Sequence, residues 1–371
     1  MPIWAILSIV AAGAIVGLFE PGRFSHAFGV ATLYVFLPSL LFEAAWNLDA
    51  RIMLANWRPV LGLAVPGVAI TTAIVAAAVW IGGFPLPAAL ILGAIVSATD
   101  PIAVVAIFRG LAVPVALSTI VQSEALLNDA TAVVLYRSLV LAAVSALSVG
   151  SVLRISAFAV VSAASGILIG IALAVAIAHL LVRRNIAAIQ IWATLGGAYA
   201  AYFAAEALHV SGIFAVVAFG VALREAERRT ISVQAAEEVG RFWDVTALVA
   251  NGCVFFLTGA AIQIARLAHE PYAAVAALAG VLAARLVLAY ILTPAALGSR
   301  ANRSWLHVIR AAGVRGALSL ALALALPVTL AFRAQIIDVT FVVVLATLFS
   351  SAFIVPRTVR AFARANASEG S

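Results

Sequence analysis

An aspartate followed by a proline, in the stretch SATDPIAVV (residues 97–105), stands about twelve residues into an apolar run that is otherwise long enough to cross a membrane. A charge at the bilayer centre costs at least about 2.5–3.5 kcal/mol, and proline removes a backbone hydrogen bond that lipid cannot replace. Intramembrane carboxylates therefore mark an ion or proton pathway by default. Asp100 and Pro101 are the first candidates for chemistry.

A second acidic centre follows in SEALLNDATAVVLY (residues 123–136), inside the next apolar segment. Glu124 and Asn128 are four residues apart and share one helix face, with Asp129 adjacent. Two acidic centres at the same depth on consecutive helices favour an ion or proton site over a purely structural role. A carboxylate holds either a cation or a proton, and this competition is the chemistry that these residues offer.

The pair Asp100–Pro101 predicts an interrupted helix. Thr99 or Asp100 suits an N-cap position, and Pro101 suits the first position of a helix. We expect a helix that stops near residue 98 and restarts at 101, which leaves free carbonyls and amides as a polar site in mid-membrane. The structural alternative is a proline kink whose aspartate bonds to a neighbouring helix.

Two further polar residues have more than one interpretation. Arg315 lies within GVRG (residues 313–316), where two glycines indicate a weakened helix and close backbone packing. It can neutralise Glu124 or cap the carbonyl ends of the broken helix. Glu43, in LPSLLFEAAWNL, lies four residues before the end of its apolar segment, so both the ion site and the cytoplasmic interface are open to it.

The composition places these residues in an integral membrane protein. Of 371 residues, 65% are hydrophobic and 10% are charged, and the mean hydropathy is +1.17; a soluble domain carries about 25% charged residues. No basic segment precedes the first apolar run, so no cleaved signal peptide is expected. Cys253 is the single cysteine and the five histidines are scattered, which argues against a disulfide framework and a metal cluster.

Twelve apolar segments predict membrane-spanning helices. Continuous runs rich in alanine and leucine, without ten-residue alternation, argue against a barrel. The predicted spans, numbered 1 to 12 in chain order, lie near residues 2–19, 27–47, 58–80, 87–108, 115–147, 152–182, 186–208, 211–224, 237–264, 270–292, 303–327 and 335–357.

Arginines predict the orientation of these spans, since lysine is absent. Connections after even-numbered spans and the tail hold thirteen arginines, against four after odd-numbered spans, so both termini are expected in the cytoplasm. The formal net charge of +7 then reflects topology and no nucleic-acid partner. Residues 1–360 are expected to form a single transmembrane domain, and residues 361–371 a short disordered cytoplasmic tail.

Spans 4 and 11 occupy equivalent places in two five-helix units, spans 1–5 and 8–12, which run in opposite directions. Interrupted segments at corresponding places in each half point to an inverted-repeat transporter with its site at the midplane. The predicted fold class is an all-α polytopic membrane protein with about 12 transmembrane helices and two inverted five-helix repeats.

Six stretches, in order from about residue 30 to 358, together resemble the monovalent cation:proton antiporter-1 family, the NhaP-type sodium/proton exchangers. They are LPSLLFEAAWNL, SATDPIAVV, SEALLNDATAVVLYR, HVSGIFAVVAFG, FWDVTALVANGCVFFLTG and GVRGALSLALALALP. The resemblance implies a homodimer with crossed, discontinuous helices (an NhaA/NhaP-like fold). Spans 1–2 and 8–9 would lie mainly on the dimerisation side, and spans 3–5 and 10–12 would form the ion-binding core.

The resemblance also implies roles for particular residues. It assigns ion binding to four positions, with Na⁺ held at the first three: Asp129, Asp100, Thr99 and Glu43. It implies a buried charge pair between Glu124 and Arg315. Asn128, next to Asp129, joins the candidate site.

Two departures from the family pattern change these expectations. Many relatives have a serine at the position of Ala125, where its oxygen binds the ion; a water, a backbone carbonyl or Asn128 is expected to replace it. Many relatives also begin with one more helix or end in a large cytoplasmic domain. This sequence has neither, so an altered dimer contact is expected.

The expected function is electroneutral exchange of cytoplasmic Na⁺ or Li⁺ for external H⁺ across the inner membrane, with cation and proton competing at Asp129. No cofactor and no soluble protein partner are expected. A potassium/proton exchanger of the same fold is the alternative, because the sequence does not report cavity size. An intramembrane aspartyl protease is disfavoured because no GxGD motif surrounds Asp100 or Asp129. A channel is a further alternative, which would conduct without a pH gradient and would need no ligand that takes up and releases protons.

Overall fold

The computed structural model describes residues 3–19, 29, 31–100, 108, 114–144, 149–181, 186–228, 232–261, 270–297, 303–311 and 313–369. Within these ranges the chain is helical almost throughout and contains no β-strand. The predicted all-α class is therefore confirmed.

The helices of the first half, in chain order, are α1 Ile3–Phe19, α2 Leu37–Asn47, α3 Ala50–Ala55, α4 Trp57–Ile81, α5 Leu86–Ser97, α6 Val115–Val144 and α7 Val149–Leu181. Those of the second half are α8 Ala187–Ala207, α9 Gly212–Glu227, α10 Val233–Ala260, α11 Pro271–Val287, α12 Thr293–Leu297, α13 Arg303–Ala311, α14 Ala317–Leu324 and α15 Arg333–Glu369. π-helical turns at Thr32–Phe36 and Leu288–Leu292 lead into α2 and α12.

Six helical stretches of the described chain are long and apolar enough to cross a membrane: Trp57–Ile81, Val115–Ala143, Ala157–Leu181, Val233–Ala260, Pro271–Leu297 and Arg333–Val359. The shorter apolar helices of the described chain are Trp4–Phe19 and Leu86–Ser97, and the second of them ends inside a predicted span. The protein is therefore a multi-pass membrane protein. At the C-terminal end, α15 continues to Glu369, so residues 361–369 of the tail predicted to be disordered are helical.

The chain divides into two compact units, and the first holds the interrupted helices. This unit comprises Met1–Val30, Ile52–Val144 and Val254–Ser371. In it α4 packs against α5, α6 and α11. Gly93 of α5 lies directly against the backbone of Thr72 in α4, an approach that small residues permit between membrane helices.

The second unit comprises Ala31–Arg51 and Ser145–Cys253. Here α9 packs against α7, α8 and α2. Gly166 and Gly170 of α7 lie against the backbone of Ser211 and Ala215, so the same small-residue packing brings α7 and α9 together.

Two interruptions distinguish the first unit from a simple bundle. Helix α5 ends at Ser97, and Ala98 already has extended backbone, which confirms the predicted stop near residue 98; the predicted restart at Pro101 lies outside the described residues. The second interruption separates α13 from α14, where residues 313–316 are not helical. Two of these four residues are glycine, which disfavours helix by about 1 kcal/mol each relative to alanine.

Candidate ion-binding site

The two interrupted helices meet at their breaks. The N–H group of Asp100 donates a hydrogen bond of 2.8 Å to the carbonyl oxygen of Val314. Two residues earlier in the chain, Ala98 packs in an apolar cluster with Val68 and Ala132. Non-helical backbone at membrane depth is tolerated only where protein or a polar cavity surrounds it, and this contact between the breaks meets that condition.

Arg315 caps the end of α5. Its Nη1 donates to the carbonyl oxygens of Ser97 at 3.1 Å and Ala98 at 3.3 Å, and its own backbone N–H donates to Oγ1 of Thr347 at 3.3 Å. The last carbonyls of a helix have no intrahelical partner, and a positive charge there is stabilised by the helix dipole. Of the two roles open to this buried arginine, capping is the one observed.

Glu124 pairs with Arg285 of α11. Nη1 of Arg285 lies 3.4 Å from Oε1 of Glu124, and both side chains are buried. Glu124 is thus paired directly with Arg285, while the side-chain donors of Arg315 that form hydrogen bonds are directed at backbone carbonyls. The predicted charge pair of Glu124 with Arg315 stays a prediction. Arg285 was visible in the sequence as an arginine within span 10, but the carboxylate that it faces depends on how α11 is rotated.

Asp129 and Asn128 hold the segment that follows α5. Oδ1 of Asp129 accepts a hydrogen bond of 3.2 Å from the N–H of Thr99, and Nδ2 of Asn128 donates to Oγ1 of Thr99 at 3.1 Å. Thr99 and Asn128 are buried, whereas Asp129 and Asp100 are partly exposed. The structure thus brings four predicted site residues together, of which Asp100 and Asp129 are the two that are not fully buried.

One oxygen in this cluster has no hydrogen bond. Oδ1 of Asn128 is buried and has no partner among the described residues. A buried acceptor without a partner costs about 1–3 kcal/mol, unless a ligand or water satisfies it. Hard cations are bound by oxygen atoms of carboxylates, amides, hydroxyls and water. The donor set of Asp129, Asn128 and Thr99 fits such a cation.

Glu43 lies in the second unit, on α2. Its Oε1 accepts a hydrogen bond of 2.7 Å from Nδ2 of Asn47, which also lies 3.4 Å from Oδ1 of Asp244. These contacts are all within the second unit. Its assignment to the ion site stays a prediction.

The two glycines of GVRG were noticed in the sequence only as signs of a weak helix. In the structure each makes room for a charged side chain: Gly313 lies against the guanidinium of Arg285, and Gly316 against the carboxylate of Asp100. The spacing of the motif gave no indication of these neighbours, because both come from other helices.

Comparisons with known proteins point to one family. The family model described as sodium/hydrogen exchanger, transmembrane, matches residues 2–361. The Na(+)/H(+) antiporter ApNhaP of Aphanothece halophytica is 35% identical over 329 residues, covering 85% of this chain and 61% of that protein. The Na(+)/H(+) antiporter NhaH of Halobacillus dabanensis is 31% identical over 332 residues, covering 87% of this chain and 81% of that protein.

The chain spans about three fifths of the length of ApNhaP and of the low-affinity Na(+)/H(+) antiporter NhaS1 of Synechocystis. Among solved structures, the sodium proton antiporter MjNhaP1 of Methanocaldococcus jannaschii superimposes with a TM-score of 0.79 at 20% identity, covering 94% of this chain and 92% of that one. At this identity the match concerns the fold, which is the NhaP-type antiporter fold.

Proposed function

The chain belongs to the transmembrane sodium/hydrogen exchanger family, and we propose that it is a secondary active antiporter exchanging cytoplasmic Na⁺ or Li⁺ for external H⁺. It acts as a transporter rather than an enzyme, as a homodimer in the inner membrane with both termini in the cytoplasm. The names of its relatives support the choice of sodium, since ApNhaP and NhaH are both called Na(+)/H(+) antiporters.

One observation carries the proposal: a partly exposed carboxylate, Asp129, lies against the backbone of an interrupted helix. Discontinuous helices are the usual means by which transporters expose polar backbone to an ion at the midplane. Asp129 binds Na⁺ when ionised and releases it on taking up a proton. Alternating access of this site to the two sides of the membrane then couples the two fluxes.

The charges around the breaks favour a one-to-one exchange. Arg285 and Arg315 contribute two positive charges, and Glu124 and Asp100 two negative ones. With Asp129 ionised, one negative charge is in excess and a bound Na⁺ neutralises it; with Asp129 protonated, the cluster is neutral without the cation. Both loaded forms are therefore neutral, and neutral forms cross a low-dielectric region at the least cost.

Asn128 is the oxygen ligand that we assign in place of the family serine. Ala125 is buried and has no side-chain oxygen. The carbonyls of Ser97 and Ala98 already accept hydrogen bonds from Arg315. Oδ1 of Asn128 is buried and has no hydrogen-bond partner among the described residues, so it can bind a cation without losing another bond.

Four residues of the proposed site, Asp129, Asn128, Asp100 and Thr99, lie in the first unit. We assign spans 3–5 and 10–12 to the ion-binding core and spans 1–2 and 8–9 mainly to the dimerisation side, within one antiporter domain.

The test uses proteoliposomes with an acidic interior and a fluorescent pH reporter. Addition of Na⁺ is expected to drive protons out, with Li⁺ as a second substrate. A response to K⁺ alone would assign the alternative, a potassium/proton exchanger. A flux that dissipates ion gradients without proton movement would indicate a channel and reject antiport.

Stoichiometry is tested with vesicles clamped by potassium and valinomycin at zero and at a large membrane potential. For a one-to-one exchange, the sodium gradient that balances a fixed pH gradient is the same at both potentials. The potential acts with about 2.3 kcal/mol per charge per 100 mV, so carriage of a second proton would move the balance point measurably.

A further inference from the structure

The four residues between α13 and α14 contact charged side chains on two sides. A Cβ atom built on Gly313 would overlap the guanidinium of Arg285, with Cδ at 2.6 Å and Cζ at 2.8 Å. A Cβ atom built on Gly316 would lie 2.5 Å from Cβ and Oδ2 of Asp100. Non-bonded carbon and oxygen atoms do not approach this closely, so a side chain at either position would require its neighbour to shift.

The place of Gly316 gives its contact a particular meaning. It is the residue immediately before α14, and as glycine it has no side chain to cap that helix. The first N–H groups of a helix lack intrahelical partners and carry a partial positive charge, which stabilises a nearby carboxylate. The carboxylate of Asp100 lies at this end, while the backbone N–H of Asp100 is bonded to Val314 in the same segment.

We propose that Gly316 is a positioning residue for the cation site: the absence of its side chain allows Asp100 to lie against the start of α14, in the same cluster as Asp129. The inference rests on the proposed function, because the position of Asp100 matters only if it helps to bind the cation. Gly316 touches no ion itself and acts through Asp100.

Two of the contacts that Asp100 makes bear on its geometry, one through its backbone and one through its side chain. The backbone bond to Val314 holds the main chain, and the packing against Gly316 holds the side chain. A methyl group at residue 316 would overlap the carboxylate of Asp100. The backbone bond to Val314 can then persist only if the carboxylate rotates away, and the carboxylate can stay in place only if α14 moves away from α5. Either response changes the oxygen set that surrounds the cation without removing any ligand.

The test is Gly316→Ala in proteoliposomes, with apparent KM and maximal rate measured for Na⁺ and Li⁺. Displacing a group that orients a metal ligand typically lowers metal affinity by about 10–100-fold. We expect the KM for Na⁺ to rise by about tenfold or more, with a changed ratio of the Na⁺ and Li⁺ values. A residue needed only for folding would lower the amount of active protein and leave both KM values unchanged.

Gly313→Ala is the matched control, since it introduces the same methyl group three residues away against Arg285. We expect a lower melting temperature and a much smaller rise in KM than for Gly316→Ala. If both variants raise KM equally, or if Gly316→Ala folds with wild-type KM values, the proposal is overturned.

Thr347→Val keeps the proposal testable if Gly316→Ala does not fold. This substitution preserves shape and removes the acceptor of the backbone N–H of Arg315, which loosens the same segment. A raised KM for Na⁺ supports the proposal, and an unchanged one overturns it. A wild-type protein that moves no protons in response to any of the cations would instead reject the proposed function itself.

Discussion

The two units each hold a cluster of charged residues with similar ion-pair distances and very different surroundings. In the first unit, Glu124 and Arg285 are 3.4 Å apart, with side chains 4% and 7% exposed. In the second unit, Arg228 lies 2.9 Å from Asp49 and 3.4 Å from Glu225, and all three side chains are about a third exposed. Distance alone would rank the second cluster as the stronger.

Burial reverses that ranking. Water screens the charges of the second cluster, and exposed ion pairs contribute about 0–1 kcal/mol. In the first cluster, removing one partner leaves an uncompensated charge in a medium that solvates it poorly. Nε and Nη2 of Arg285 are also buried without hydrogen-bond partners among the described residues, so the cluster is not arranged for maximal stability. The proposed ion site, which must bind and release charge, would account for such an arrangement.

The largest expected effect of this difference is on transport. Asp129→Asn is expected to abolish sodium-driven proton movement, because the group that alternates between proton and cation loses its charge. The protein should stay folded, since asparagine can accept the hydrogen bond from the N–H of Thr99. Initial rates of dequenching in proteoliposomes measure the effect.

Asp49→Asn makes the same chemical change in the second cluster and is the control. Asp49 pairs with Arg228 at a partly exposed position, where water can solvate the guanidinium that loses its partner. Exchange should persist at close to the wild-type rate. Sodium-driven proton release by the Asp129 variant above the level of empty vesicles would remove Asp129 from the coupling role.

The second effect is on stability. Arg285→Gln is expected to lower the free energy of unfolding by about 3–5 kcal/mol, because it leaves Glu124 as a lone buried charge. Thermal or denaturant unfolding in detergent measures it. The double variant with Glu124→Gln should recover part of the loss, since it removes the uncompensated charge as well.

Equal melting temperatures of the wild type and the Arg285 variant would mean that solvent reaches the pair. An additive double variant would mean that the two side chains do not interact. Either result would contradict the claim that the buried pair contributes more to stability than the exposed cluster.

The sequence predicted the positions of the breaks better than the contacts between them. Asp100–Pro101 and GVRG each combine residues that disfavour a continuous helix, so the chain itself indicates where the ladder of hydrogen bonds ends. Asp129 and Asn128 were found because polar residues are rare at membrane depth. These signals are local and need no tertiary information.

The sequence did not single out Arg285 as the direct partner of Glu124, for a physical reason. Arg285 and Arg315 both lie within predicted spans, and which of them faces Glu124 depends on the rotation of α11 about its axis. If α5 were continuous, its carbonyls would be bonded within the helix, and a carboxylate would be the acceptor expected for Arg315. Because α5 ends at Ser97, its last carbonyls are available and accept hydrogen bonds from Arg315 instead. That competition is visible only once the two breaks are known to touch.

A third effect is a pH dependence of stability that arises from Glu227, the neighbour in sequence of Arg228 in the second cluster. Glu227, beyond the apolar part of α9, is buried, and burial raises its pKa from 4.5 to about 8, although Arg224 opposes the shift. The folded protein therefore holds a proton that the unfolded chain releases between pH 4.5 and about 8. By linkage, this group stabilises the fold below pH 4.5 relative to higher pH, and the contribution is lost as pH rises through about 8.

Glu227→Gln is expected to remove this slope, because glutamine resembles the protonated acid at every pH. The measurement compares melting temperatures of the wild type and the variant from pH 5 to pH 9. The difference between them should grow with pH, with the variant the more stable at the alkaline end. Parallel curves would show that Glu227 is ionised in the folded protein over the whole range.

The smallest expected effect is that of Arg228→Gln. Arg228 bridges Asp49 and Glu225, yet its side chain is 31% exposed, so water and salt compete for both carboxylates. We expect a loss of at most about 1 kcal/mol in the free energy of unfolding at low ionic strength. The loss should largely vanish at 1 M salt, where the Debye length falls to about 3 Å. Arg285→Gln, measured in parallel, should keep its full effect in high salt because its pair is shielded from counterions. A salt-independent loss of several kcal/mol for Arg228→Gln would mean that this cluster is buried in the working protein, for instance by a second copy of the chain.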